Sequence, residues 1–228
     1  MNEPRAVAER YARRAAGDRY SPLRPDVARL LHERRLALLQ LMAAAGIDAV
    51  DDLHLVEVGC GTGGNLLELL HLGFAPQHLQ GIELLPDRFE AARQRLPFAL
   101  QLRCGDASTA DIAPGSQDLV LQSTVFSSLL DDGFQQRLAA AMWQWLKPGG
   151  AVVWYDFTVD NPRNRDVRGV PLQRVKQLFP QGHVRARRIT LAPPLARAAC
   201  RVHPLLHDAL NLLPFLRTHI LAWVAKPL

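Results

Sequence analysis

A chain of 228 residues with 48% hydrophobic composition is long enough for one substantial α/β core and short for two. Its formal charge of +5 admits nucleic acid, an anionic surface or an acidic small molecule, but all except three of its 27 basic residues are arginines spread along the chain, a skew that GC-rich coding alone produces. The isolated Cys60, Cys104 and Cys200 form no CxxC pair, so neither a zinc site nor a disulfide framework is expected, and a reduced, cytoplasmic setting is. The charged start MNEPRAVAERYARR has no apolar secretory stretch, and the leucine-rich tail is broken by Asp208, Pro214 and Arg217 before the roughly 18 apolar residues of a membrane span accumulate.

In chain order, residues 3–16 and 26–45 have helical spacing, Gly46 closes the second helix, and residues 1–48 read as an N-terminal helical cap on a core spanning 49–228. LHLVEV is a strand buried on both faces; after its glycines, NLLELLHL forms a helix ended by Gly73. LQGIEL and the helical DRFEAARQRL, opened by Pro86, make a second unit, and ALQLRC ahead of Gly105-Asp106 is a third strand. SQDLVLQSTVF supplies a fourth, followed by the helical DDGFQQRLAAAMWQWLKPGG, which Pro148-Gly149-Gly150 stops. AVVWYDF is a fifth strand. HVRARRITL and THILAWVAK are two more, with a helical, proline-containing insertion at about 192–217 between them. This alternation predicts a doubly wound, mostly parallel sheet whose ligands sit at the carboxyl ends of the strands.

Gly59, Gly61 and Gly64 satisfy GxGxxG, and Glu83, 19 residues past Gly64, stands where a ribose-binding acid belongs. The same stretch also reads EVGCGTG. Charge separates a dinucleotide from a sulfonium cofactor: a carboxylate at Glu57 repels pyrophosphate by roughly 1–4 kcal/mol at about 4 Å and attracts an ammonium group by a similar amount. The acid favours the cation. Glu83 ends the second strand, Asp106 follows the third, and Lys147-Pro148-Gly149-Gly150 precedes the fifth.

On these motifs the chain resembles the class I S-adenosylmethionine-dependent methyltransferases over roughly residues 50–160. The resemblance implies S-adenosyl-L-methionine as cofactor and a Rossmann-like seven-stranded sheet in the order 3-2-1-4-5-7-6. It implies Glu57, Gly59, Gly61 and Gly63 around the methionine moiety, Glu83 on the ribose and Asp106 with Ala107 on adenine, with Cys60, Asn65 and Leu84 beside them. Gln122, ending the fourth strand, is expected on the cofactor's reactive side. YDFTVDNPRNRDVRG and LPFLRTH resemble, in addition, a bacterial subgroup associated with surface-polysaccharide gene clusters.

For the acceptor, Gln122-Ser123-Thr124-Val125-Phe126 stands where amino-directed enzymes carry Asn/Asp-Pro-Pro-aromatic, and no cysteine has the Pro-Cys context of a cytosine C5 nucleophile. A metal site after strands four and five is not expected, since Gln122 is neutral and Asp131-Asp132 is placed to cap the next helix. O- or N-methylation of a small acceptor remains, with Asp156 placed either as its base or as a cap or arginine partner. Arg163, Arg165 and Arg168 follow, as forks for an anionic acceptor or as members of a solvated loop paired to Asp156, Asp160 and Asp166. Arg10, Tyr11, Arg13, Arg14 and Tyr20 either fold over the cofactor or form a basic helix face. His203 and His207 lack a third metal ligand. Methylation of RNA, supported only by charge, and a non-catalytic cofactor-binding partner protein are the alternatives; nucleic acid is disfavoured because no stacking aromatics sit among the basic residues.

Overall fold

The computed structural model describes residues 3–13, 21–162 and 164–228. Helices α1 (Glu3–Ala12) and α2 (Pro25–Ala44) come first. There follow β1 (Leu55–Val58), α3 (Gly64–His71), β2 (Leu79–Glu83), α4 (Pro86–Arg95) and β3 (Gln101–Cys104). The second half comprises β4 (Gln117–Ser123), α5 (Asp132–Trp145), β5 (Leu146–Phe157), α6 (Leu172–Leu178), β6 (His183–Leu191), α7 (Pro193–Val202), α8 (Pro204–Asn211) and β7 (Arg217–Ala225). The strands form one sheet in the order β3-β2-β1-β4-β5-β7-β6, parallel except for β7, which runs against both β5 and β6.

Successive strand side chains point to opposite faces, and the two faces bury separate apolar layers. Val56, Val58, Val120, Val152 and Trp154 join Leu138, Met142 and Val175 from α5 and α6. Leu55, Leu119, Leu121, Val153 and Tyr155 join Leu41, Leu66 and Ala92 from α2, α3 and α4. Burial on both sides is why the strands read as near-continuous apolar runs.

Two elements depart from the sequence expectation. Helix α5 ends at Trp145, and Leu146 is already extended (φ −70°, ψ 134°), so Lys147-Pro148-Gly149-Gly150 belongs to the start of β5. The residue before a proline avoids helical geometry, and here that constraint reaches one residue further back. Helix α6 has no counterpart in the expected elements; its signal is Pro171 at the N-cap, with Val175 and Leu178 buried one turn apart. The insertion between β6 and β7 breaks at His203-Pro204 into two helices, as a proline without an amide proton dictates. No helix is long and apolar enough to cross a membrane among the described residues.

Candidate active site

Because β1, β2 and β4 align Val58 with Ile82 and Gln122, their carboxyl ends share one rim. The chain leaves β1 through a turn in which Gly59, Gly61 and Gly63 have φ of +66°, +58° and +82°. Gly59 is fixed twice: its φ is left-handed, and an added Cβ would lie 2.5 Å from Val125 Cγ2 on the turn after β4. The second acid supports the same turn. Glu83 Oε2 accepts from the Gly61 amide at 2.7 Å, and its Oε1 accepts from the Leu85 amide at 2.9 Å. Asp106 Oδ1 caps the short helical turn at 107–109 by accepting from the Ser108 amide at 2.8 Å.

These groups border a cleft of about 740 Å³ lined by Gly59, Glu83, Leu84, Asp106 and Ala107, with Ser123, Thr124 and Val125 from the turn after β4. Helix α1 covers it with Val7 and Tyr11. The structure thus brings five of the expected cofactor residues to one cavity wall. The other six, Glu57, Cys60, Gly61, Gly63, Asn65 and Gln122, do not line the cleft. Cys60 is buried, and burial with the nearby Glu57 carboxylate lifts its thiol above the ordinary range, which leaves it inert. Gln122 braces the turn, accepting from the Val125 amide at 3.1 Å while its Nε2 donates to the Tyr155 carbonyl at 3.3 Å. The turn it holds is strained, since the β-branched Thr124 has φ +57°.

Glu57 is 0% exposed. Asn65 Nδ2 donates to its Oε1 at 2.5 Å, and Asn65 Oδ1 in turn accepts from Arg34 Nη2 at 2.5 Å. Burial pushes the Glu57 carboxyl up to about 7, against the opposing pull of the Asn65 hydrogen bond and the Arg34 charge. Its second oxygen, Oε2, is buried without a hydrogen-bond partner. An unsatisfied buried acceptor beside a glycine turn is what an ammonium group completes, so these residues fit the methionine end of S-adenosylmethionine. The role of Arg34, on α2, carries no signal in the sequence: its partner lies 31 residues away and only the packing of α2 over β1 joins them.

Asp156 is also 0% exposed, yet differently placed. Its Oδ2 accepts from the Ser127 amide at 3.1 Å and its Oδ1 from the Phe157 amide at 3.0 Å. Burial pushes its carboxyl up to about 7. Among the described residues no arginine pairs with it, and it does not line the cleft; its contacts correspond to a cap on the turn after β4. The arginine loop is likewise rearranged. Arg168 pairs with Asp132 at the start of α5, Asp166 pairs with Arg13 at 2.9 Å, and Asp160 accepts from the Gly169 amide at 2.8 Å. Arg165 is exposed, while Arg163, Arg14 and Tyr20 lie outside the described residues. Asp131 caps α5 by accepting from the Phe134 amide at 2.6 Å. Arg10 makes a buried pair with Glu3 at 2.5 Å and donates to the Ser128 carbonyl at 2.9 Å, which fastens α1 over the cleft.

A second groove, of about 490 Å³, opens between α2, α3 and the sheet, and Ser123 borders both cavities. Arg34, Asn65 and Tyr155 line it. Tyr155 shares a 2.9 Å hydrogen bond with Thr190 and stacks on His219, whose imidazole burial and the Arg34 charge push down to about 4. Among the described residues no group of three or more His, Cys, Asp or Glu could hold a metal ion. His203 instead caps α8, its Nδ1 accepting from the Leu205 amide at 3.2 Å.

A doubly wound sheet presenting a glycine turn and three acids at the ends of its first three strands defines a nucleoside-binding, Rossmann-like protein. Residues 55–150 match the family model of a methyltransferase domain. A curated trans-aconitate 2-methyltransferase from Paracidovorax citrulli is 29% identical over 142 residues, covering 62% of this chain and 52% of its own, so the chain spans about half the length of that relative. Among solved structures, a geranyl diphosphate C-methyltransferase from Streptomyces coelicolor with S-adenosyl-L-homocysteine superposes with TM-score 0.66 at 12% identity, covering 100% of this chain and 98% of that one. A phosphoethanolamine N-methyltransferase 2 from Haemonchus contortus, bound to S-adenosyl-L-methionine, gives 0.62 at 16% identity, over 86% and 52%. Residues 55–150 thus match a methyltransferase domain, and S-adenosylmethionine is the cofactor that this match and the ligand-bound fold neighbours indicate.

Proposed function

We propose that this protein methylates an oxygen, or secondarily a nitrogen, of a small anionic acceptor such as a carboxylated or phosphorylated saccharide or its precursor. Bound S-adenosylmethionine supplies an electrophilic methyl group, and the chain's residues do the rest. Glu83 and Asp106 receive the nucleoside, Glu57 holds the ammonium end, and Ser123 borders both the cleft and the second groove.

One observation carries the acceptor class. Of the two carboxylates that burial draws toward neutral pH, Glu57 has its free oxygen assigned to the ammonium end of the cofactor and Asp156 has both oxygens engaged by backbone amides. Neither is on hand to take a proton from an acceptor. An oxygen that arrives already ionised needs no base, only alignment with the methyl carbon. The exposed Arg165 is available to steer such an anion, Arg163 is assigned the same role from the sequence, and Arg168 joins them only by releasing Asp132. Trans-aconitate, the carboxylate in the name of the curated relative, belongs to this class of acceptor.

Calorimetric titration with S-adenosylmethionine and with NAD, followed by incubation with small carboxylic acids, sugar phosphates and uncharged sugars, tests the reading. Uptake of one methyl by the anionic set alone is expected. Turnover of uncharged acceptors in preference to anions removes it.

A further inference from the structure

The insertion between β6 and β7 is built inside out. Helix α7 turns the small Ala196 and Ala199 toward the protein and leaves Leu195 and Val202 in solvent. Residues 195 and 202 lie one heptad apart, on a single stripe, and the exposed Arg201 borders it. In α8 the residue buried is His207, while Leu205 is 66% exposed. Beyond it Leu212 is 75% and Phe215 73% exposed. Ordinary amphipathic packing would reverse this arrangement, placing leucine inward and histidine outward.

Charge accompanies the exposed apolar surface. Residues 183–217 contain six arginines and a single acid, Asp208, so this stretch alone carries the chain's whole formal net charge of +5, and the remaining residues are balanced. Even Asp208 is answered from outside the stretch, by Arg29 of α2 at 3.0 Å. Arg185, Arg187 and Arg188 are exposed on β6, the edge strand of the sheet. Large apolar side chains standing clear of a basic surface match the interface of an anionic bilayer, where the apolar groups enter the acyl boundary and arginines meet lipid phosphates. A water-facing surface has no use for the first feature, and a neutral protein partner none for the second.

We propose that the insertion formed by α7, α8 and residues 212–216 docks the protein onto an anionic lipid surface. β6 ends and β7 begins at the rim that carries the cleft, so docking there brings the site to acceptors held at, or released from, that surface. The proposal does not depend on the acceptor chemistry, because its readout requires no turnover.

Co-sedimentation with phosphatidylcholine vesicles, with or without about 30% phosphatidylglycerol, tests it directly. The protein is expected to pellet with the anionic vesicles and to be released at least about tenfold when salt rises from roughly 50 to 500 mM. The triple variant Leu205→Gln, Leu212→Gln, Phe215→Gln is expected to lose about tenfold or more in partitioning while keeping S-adenosylmethionine affinity, which serves as the folding control. Arg201→Gln is expected to lose a few-fold, in the anionic vesicles only. The proposal is overturned if the wild type stays in the supernatant with anionic vesicles at low salt, or if the folded triple variant binds them equally well. It is equally overturned if the wild type forms a dimer that the triple variant abolishes and neither pellets, for the face then belongs to a second copy.

Discussion

Glu57 and Asp156 make an instructive pair. Both are carboxylates at the carboxyl end of a central strand, both are wholly buried, and burial drives both up to about 7. Their neighbours differ. Asp156 has each oxygen engaged by a backbone amide, Ser127 of the turn it holds and Phe157 of its own strand, so both its oxygens are partnered without a ligand. Glu57 has one oxygen held by the Asn65 side chain and the other without a partner. The lesson is that a perturbed carboxyl group marks a place where the fold accepted a desolvation cost, and only its remaining valence tells a ligand site from a brace.

The largest effect that sharpens the contrast is expected at Glu57. Glu57→Ala should weaken S-adenosylmethionine binding about a hundredfold, roughly 3 kcal/mol, by removing an acceptor of charge-assisted hydrogen bonds, as calorimetry would record. Asp156→Asn, by contrast, should leave cofactor affinity within about threefold and lower turnover only through a looser turn. A fall in kcat of about a hundredfold at unchanged melting temperature would break the contrast and restore Asp156 as a base.

Next comes Gly59→Ala, which must strain a left-handed φ and displace Val125, and should cost about 2 kcal/mol of stability in a denaturant titration. Arg34→Gln ranks below it. Loss of its hydrogen bond to Asn65 and of its charge should weaken cofactor binding about five- to tenfold and move the pH midpoint of binding upward, because Arg34 holds the Glu57 carboxyl down.

The smallest expected effects are the pH slopes themselves. The ammonium end of the cofactor prefers ionised Glu57, so affinity should rise as pH climbs toward about 7 and level off above it, with proton release that falls over the same range and shows in buffers of different ionisation enthalpy. Stability moves the other way. A carboxyl raised from an ordinary 3.8 to about 7 contributes stability below the lower value and loses it as pH rises through the upper one. The melting temperature of the wild type should therefore fall relative to that of Asp156→Asn between pH of about 5 and about 8; a constant difference would mean that Asp156 does not titrate there.

Much of the half that carries the cleft was legible in the sequence, and for a physical reason. Strands buried on both faces write their positions as apolar runs, and the turn after β1 needs glycine where it approaches Val125. Glu83 and Asp106 were visible because they follow strand ends at regular spacing. The other half was less so. Arg34 reaches Glu57 only through Asn65, a relay across three elements that no local pattern announces. The arginines after β5 could be counted but not paired: Asp132, the partner of Arg168, lies 36 residues away. In the insertion the sequence shows leucines at helical spacing, which the usual logic turns inward; that they face outward depends on how α7 and α8 sit on α2 and β6.

The reversal of β7 has its own consequence. Since that strand alone runs backward, the chain completes β6 and begins β7 at the same rim where β4 and β5 finish. Residues added between Leu191 and Arg217 therefore accumulate above that edge and leave the opposite edge untouched. Editing that one excursion would change what stands over the rim and leave the glycine turn and its acids, some hundred residues upstream, unaltered.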